Sequence, residues 1–234
     1  MTPASSRDRI SEQQGKRAQE VATWYFRLNG FLHIPEYVLH SDQQGRAVTD
    51  ADLLGVRFPY SHVSIRDITM VDDRWVSEVT YPGQTLIVIA EVKTGKCHVN
   101  GPWTDPKREG MEKVVRRIGF VKEEMIPEIT KKLYDTLHWY NDDFRVQYVA
   151  VGERTNHELT RRYRALKQLT WADIAHFLFE RFHSFGTVKG IHDQWPRFGR
   201  EFARAVERCG VTHAQQAAEF IETYISEGHQ GRRR

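Results

Sequence analysis

The sequence predicts an α/β fold: a central mixed β-sheet flanked by helices, with an extra helical segment at the C-terminus. Three observations carry this. Residues 85–93 form a run that is apolar on both alternating faces, Leu86/Val88/Ala90/Val92 and Ile87/Ile89, until Glu91 and Lys93 end it. That is the pattern of a central strand covered on both sides. Segments of helical period lie on either side of this run in the chain, and from Thr170 onward only helical periods remain. Finally, 234 residues with 40% hydrophobic and 28% charged side chains suit one sizeable globular domain.

Taken in order, residues 1–10 are polar and expected to be loose. From Glu12 to Asn29, Ala18, Val21, Ala22, Tyr25, Phe26 and Leu28 recur at helical spacing, and Gly30 supplies a C-terminal stop. Strands follow at 34–40 and 50–58. Residues 59–84 have no clean period; Arg74–Tyr81 alternates like a strand in a long hairpin excursion. After the 85–93 strand come helices at 106–118 and 122–139, a strand at 144–151 and a short edge strand at 164–169. Thr170 is placed to cap a helix with Trp171, Ile174, Ala175, Leu178, Phe182 and Phe185 on one apolar stripe. Two more helices, 189–208 and 213–227, complete the chain, the second opened by the capping box Thr212…Gln215. The chain therefore divides into a loose 1–10, a main domain at 11–187, helices at 188–228 packed on it, and a basic tail at 229–234.

Composition excludes several classes. Cys97 and Cys209 are far apart and in no ligand spacing, which argues against a zinc site or a disulfide framework. The eleven histidines form no H-x-x-x-H pair. The N-terminus lacks the apolar core of a signal peptide, and no apolar run approaches the ~20 residues of a membrane helix. A cytoplasmic protein without a membrane partner is expected. A net charge of +3 permits nucleic-acid binding without demanding it.

The chemistry is concentrated at strand ends. If strand 50–58 pairs antiparallel with 85–93, equal apolar lengths set Phe58 opposite Thr85 and Asp52 opposite Glu91. Opposed Cβ atoms lie ~4.5–5.5 Å apart, near enough for two carboxylates to share an ion. Lys93 projects from the face of Glu91. Two hard oxygen donors and an ammonium group suit Mg²⁺ (or Mn²⁺) and phosphoester hydrolysis.

Asp52 followed by Glu91-Val92-Lys93 resembles the PD-(D/E)XK nuclease superfamily, the restriction endonuclease-like group, and residues 12–151 follow its order of helix, mixed sheet and helix. The first helix is similar to that of resolvase-like members: Gly15, Ala18, Gln19, Glu20, Gly30 and Phe31 fill the same frame. The resemblance implies Mg²⁺ ligation by Asp52 and Glu91 and positioning of the attacking water by Lys93. The family's helical glutamate falls on Gln19, with Glu20 one position late, about 100° around the helix. Either is a candidate for the site. The family's proline before the first aspartate is replaced by Ala51.

Around that centre, Trp103 in the Asn100-Gly-Pro-Trp103 turn is a candidate for base stacking or for packing on the domain. Lys96, Lys107, Arg108, Lys113, Arg116 and Arg117 are candidates for tracking a phosphate backbone, and Arg161, Arg162 and Arg164 form a second basic cluster. The expected function is a metal-dependent DNA endonuclease in restriction, defence or repair. Cutting both strands would call for a symmetric homodimer. The alternatives are a catalytically silent nucleic-acid-binding or assembly subunit with the same fold, and a hydrolase of small phosphoesters.

Overall fold

The computed structural model describes residues 6–40, 47–65, 68–186, 195–208 and 213–227. Its helices are α1 (Ser6–Leu28), α2 (Arg74–Val79), α3 (Gly110–Ile118), α4 (Ile126–Thr136), α5 (His157–Arg162), α6 (Trp171–Gly186), α7 (Arg197–Arg208) and α8 (Ala214–Glu227). Its strands are β1 (Leu32–His40), β2 (Ala47–Arg57), β3 (Ser64–Ile65), β4 (Ile68–Thr69), β5 (Thr85–Val92), β6 (His138–Tyr140), β7 (Phe144–Gly152) and β8 (Lys167–Thr170). Six of these make one mixed sheet in the order β1-β2-β5-β7-β6, with β8 also on β7; β3 and β4 form a separate hairpin. β2 is antiparallel to β1 and β5, whereas β5 and β7, and β7 and β8, are parallel.

β5 sits inside the sheet because both its faces are apolar. Leu86, Val88, Ala90 and Val92 enter one core with α1, α6, α7 and α8. Ile87 and Ile89 enter a second core with α3, α4 and Trp103. The pairing of β2 with β5 runs from Leu53 opposite Ala90 to Arg57 opposite Leu86, so one further step sets Asp52 against Glu91. That is the register the matched apolar lengths predict. Among the described residues no helix is long and apolar enough to cross a membrane.

Alternation fails at one place that matters. Leu53 packs in the α1 core but Ala51, two residues away, packs in the α3 core. On β1 the pairs Pro35–Leu53 and Tyr37–Ala51 bracket Glu36, whose φ of 50° is left-handed. Such a backbone costs a non-glycine residue about 1 kcal/mol. It reverses the faces of β1 and β2 together, with Asp52 at the reversal.

Several expectations change. Arg74–Tyr81 is not a strand but contains α2: the Asp73 side chain accepts from Trp75 N at 3.0 Å as an N-cap, and Arg74 pairs with Glu78 one turn on at 2.7 Å. Capping and the adjacent burial of Trp75 and Val76 override the alternation. The 106–118 helix is interrupted, because Glu109 is left-handed at φ 54° between the turn Pro106–Arg108 and α3. The 122–139 helix becomes a short turn at Glu123–Met125, α4, and then β6 after left-handed Leu137. Residues 6–10, expected to be loose, belong to α1. Gly30 does end α1, at φ 80°. Thr170 caps α6 with a reciprocal bond to Asp173, its Oγ1 accepting from Asp173 N at 3.2 Å. The expected helical start at 189–194, Thr212 and the tail at 229–234 lie outside the described residues.

The C-terminal end of β2 is anchored by a buried ionic group. Arg57, 5% exposed, donates to Asn29 O at 2.9 Å, to Ser61 O at 2.8 Å and to Asp72. Arg181, 3% exposed, reaches Asp72 at 3.6 Å and Val71 O at 2.7 Å. Removing the shared carboxylate leaves two buried cations facing each other, so Asp72→Ala should lower stability by about 3–5 kcal/mol. Urea denaturation of the variant against the parent measures it.

Candidate active site

Glu91 is the most constrained carboxylate in the site. It is 1% exposed and lies at the end of β5. Its Oε2 accepts from Trp103 Nε1 and from the Tyr148 hydroxyl, both at 3.1 Å. Its Oε1 accepts from Asn100 Nδ2 and pairs with Lys93 Nζ at 2.5 Å. Four donors meet the four lone-pair positions a carboxylate offers. Burial, the largest influence, holds the Glu91 carboxyl above the ordinary range; Lys93 pulls it down and the charge of Asp52 pushes it up.

Asp52, 8% exposed, is held differently. Its Oδ2 accepts from the backbone of Val92 at 2.6 Å, which ties it to the strand carrying Glu91. Its Oδ1 accepts from the Gln19 amide on α1. The two carboxylates thus sit level on neighbouring strands, Glu91 near the end of β5 and Asp52 midway along β2 where its ladder with β5 stops; Asp52 is gripped from α1 and Glu91 from the Asn100–Trp103 turn and β7. Glu91 and Lys93 meet as the shared face predicts, whereas Asp52 departs from it: the reversal at Asp52 lets helix α1 reach it through Gln19.

Lys93, at the strand's exit, is half-buried, and its backbone N–H bonds Val151 O at 2.9 Å. The following loop is laid on the end of β7 by Glu153 N to Gly95 O at 2.7 Å and Cys97 N to Arg154 O at 2.9 Å. Gly152 makes this approach feasible, since a Cβ there would lie 2.4 Å from Gly95 O.

Gln19 and Glu20 part company. Gln19 meets Asp52, whereas Glu20 accepts from Phe198 N at 3.1 Å and from the Tyr224 hydroxyl at 2.6 Å. Glu20 fastens α7 and α8 to α1 and is no part of the carboxylate pair. Arg17 adds to that fastening by bonding Ile225 O at 3.0 Å and Ser226 O at 3.2 Å.

Trp103 is also reassigned. Fully buried and tilted against Tyr148, with ring centroids 5.9 Å apart, it has no face free for a base; it orients Glu91. Asn100 and Tyr148 were not foreseen as partners of Glu91. Tyr148 carries no signal of its own, because it faces Glu91 only through the parallel β5–β7 register, in which Ala150 opposes Glu91. Of the basic candidates, Lys96, Lys107, Arg108, Arg116 and Arg117 are exposed, and Lys113 is half-buried. Three are already paired: Arg108 with Asp105 at 3.7 Å, Lys113 with Glu109 at 3.9 Å and Arg116 with Glu123 at 2.7 Å.

Among the described residues no group of three or more His, Cys, Asp or Glu gathers in ligand geometry. The donors at hand are two carboxylates and the oxygen of the Gln19 amide. They fit a hard divalent ion such as Mg²⁺, which keeps several waters and takes one or two carboxylates. Glu91 Oε1 would become a ligand only as Lys93 and Asn100 give way, so a cation and Lys93 compete for the same oxygen.

No protein-family model matches the chain, and no curated protein or solved structure matches it.

The Lys93–Glu91 pair makes a pH-dependent prediction. A raised folded pKa means that Glu91 favours the fold when protonated, and this contribution is lost as pH rises through the folded value. Lys93→Met leaves the buried carboxylate without its cation and lifts that value further. Stability should drop by about 1–3 kcal/mol at neutral pH, discounted because the Lys93 side chain is 35% exposed. The deficit should shrink on acidification below the ordinary glutamate range, where Glu91 is neutral in both proteins. Urea denaturation across this pH range reads the difference.

Proposed function

We propose that the protein is a Mg²⁺- or Mn²⁺-dependent nuclease that hydrolyses phosphodiester bonds in DNA, with a restriction endonuclease-like core of the PD-(D/E)XK kind, acting in restriction, defence or repair. The observation that carries the reading is the placing of Asp52 and Glu91 one step beyond the last β2–β5 pair, with Asp52 bonded to Val92 N beside Glu91 and Lys93 on Glu91. A buried carboxylate pair of like charge is unfavourable on its own and becomes favourable around a cation. The order of α1, the β1-β2-β5 strands, α3/α4 and β7 supports the same reading.

In this reading Asp52 and Glu91 would hold the metal, and the chemistry it would supply when bound is Lewis-acid activation of the phosphate and of water. Gln19 holds Asp52 through its amide and supplies a neutral oxygen if that amide turns over. Trp103 and Tyr148 keep Glu91 in one orientation by gripping the oxygen that faces away from Lys93. Lys93, which pairs with Glu91 Oε1, would orient the attacking water and offset charge developing on phosphorus once that oxygen is engaged elsewhere.

A second reading has an observation of its own. The four donors on Glu91 satisfy it without a metal, as a silent nucleic-acid-binding or assembly subunit would require. One experiment separates the two. Mn²⁺ titration by calorimetry and cleavage of plasmid, linear and branched DNA and of RNA are run on the parent, Asp52→Asn and Lys93→Ala. The nuclease reading expects Asp52→Asn to lose both metal binding and cleavage. It expects Lys93→Ala to cut at least about 100-fold more slowly while binding Mn²⁺ no more weakly, because one of the two donors that must leave Glu91 Oε1, Lys93, is already gone and only Asn100 remains. Parent protein that neither binds Mn²⁺ nor cuts any of these substrates leaves the silent subunit.

A further inference from the structure

The loop that leaves the candidate site has an unneutralised basic surface beside it. Lys96 forms a parallel backbone bridge with Arg154, and the Asn156 side chain donates to Cys97 O at 3.2 Å while capping α5. The chain segment carrying Lys93 is therefore fixed to the β7–α5 connection. Lys96 and Arg154 are exposed, and so are Arg161, Arg162 and Arg164 at and beyond the end of α5. None of these five makes an ion pair among the described residues, and Arg162 lies over the Tyr163 ring at 5.0 Å. Glu153 and Glu158 are the acidic residues interspersed with them.

The two alternative approaches are less favourable to a polyanion. On α3 and the turn before it, Arg108, Lys113 and Arg116 already face carboxylates, which leaves only Lys107 and Arg117 of the five cations there without an ion pair among the described residues. On the other side, a groove of about 490 Å³ between α1, α8 and the loop after Lys93 is lined by Gln14, Thr94, Glu153, Glu219 and Glu222. That groove repels phosphates.

We infer that a nucleic-acid backbone crosses the protein over Lys96 and Arg154 and continues along Arg161, Arg162 and Arg164, rather than along α3. The inference rests on the nuclease reading for its biological sense but not for its measurement. Five cations without an ion pair, Lys96 on the loop after Lys93 and four arginines on the connection bridged to it, supply phosphate contacts beside the site, and each contact adds to the salt dependence of binding.

The test is fluorescence anisotropy with the full chain in EDTA, so that no turnover is needed, using a labelled DNA duplex and an RNA of the same sequence over a range of salt. Heparin is the non-nucleic polyanion. Lys96→Ala/Arg154→Ala should weaken nucleic-acid binding about tenfold or more and reduce the slope of log affinity against log salt by about 1–2. Arg161→Gln/Arg162→Gln/Arg164→Gln should act in the same direction. Arg108→Gln/Lys113→Gln/Arg116→Gln should stay within about twofold of the parent. All the substituted positions but Lys113 are exposed, and circular dichroism melts verify folding. Greater loss in the α3 set, equal binding by all variants, or affinity for heparin alone would overturn the inference. Protein that binds through this surface but cuts nothing would uphold it while sinking the hydrolytic reading.

Discussion

The buried carboxylate of Glu91 is the constraint around which the rest of the molecule is arranged. A charge at 1% exposure is tolerated only if every lone pair has a donor, because an uncompensated buried ion costs several kcal/mol. Its donors come from three places: Lys93 two residues on, Asn100 and Trp103 in the following turn, and Tyr148 on the parallel strand. The turn must fold back, Trp103 must be buried beneath it, and β7 must lie beside β5 in one register only. A single charged side chain thus ties local geometry to sheet topology.

Asp52 supplies the other half of the arrangement by a different route. Left-handed Glu36 on β1 and the lost alternation on β2 turn the strand at the point where Asp52 meets α1. The α1 helix is itself held from behind, with Glu20 and Arg17 clasped by α7 and α8 while Gln19 touches Asp52. The C-terminal helices are therefore more than an appendix to the sheet. They support the turn of helix that meets one of the two carboxylates, which gives a mechanical link between the chain's last helices and its first acidic strand.

Electrostatics around the pair is asymmetric. Acidic Glu153, Glu219 and Glu222 line the groove toward α8, while Lys96 and Arg154 border the loop after Lys93. The α3 region is basic by count but largely neutralised by its own carboxylates. Counting cations along a helix is a poor guide to where a polyanion binds, because ion pairing within the protein decides which charges remain available.

The linear chain by itself determined the central strand, its partner and their register, which sets Asp52 level with Glu91. These follow from runs of apolar residues of matched length and from period-two alternation, which are local properties. Also legible were the Gly30 stop, the Thr170 cap and the α6 stripe. Tertiary structure alone decided the rest. Tyr148 and Trp103 became Glu91 donors through a parallel pairing and a buried turn that no spacing announces. Gln19 rather than Glu20 faced Asp52 because α7 and α8 claim Glu20, and α2 replaced a strand because a cap and buried neighbours outweigh alternation. Except for the local Asp73 cap of α2, the deciding contact joins residues distant in the chain, and only folding reveals which polar groups must satisfy one another once water is gone.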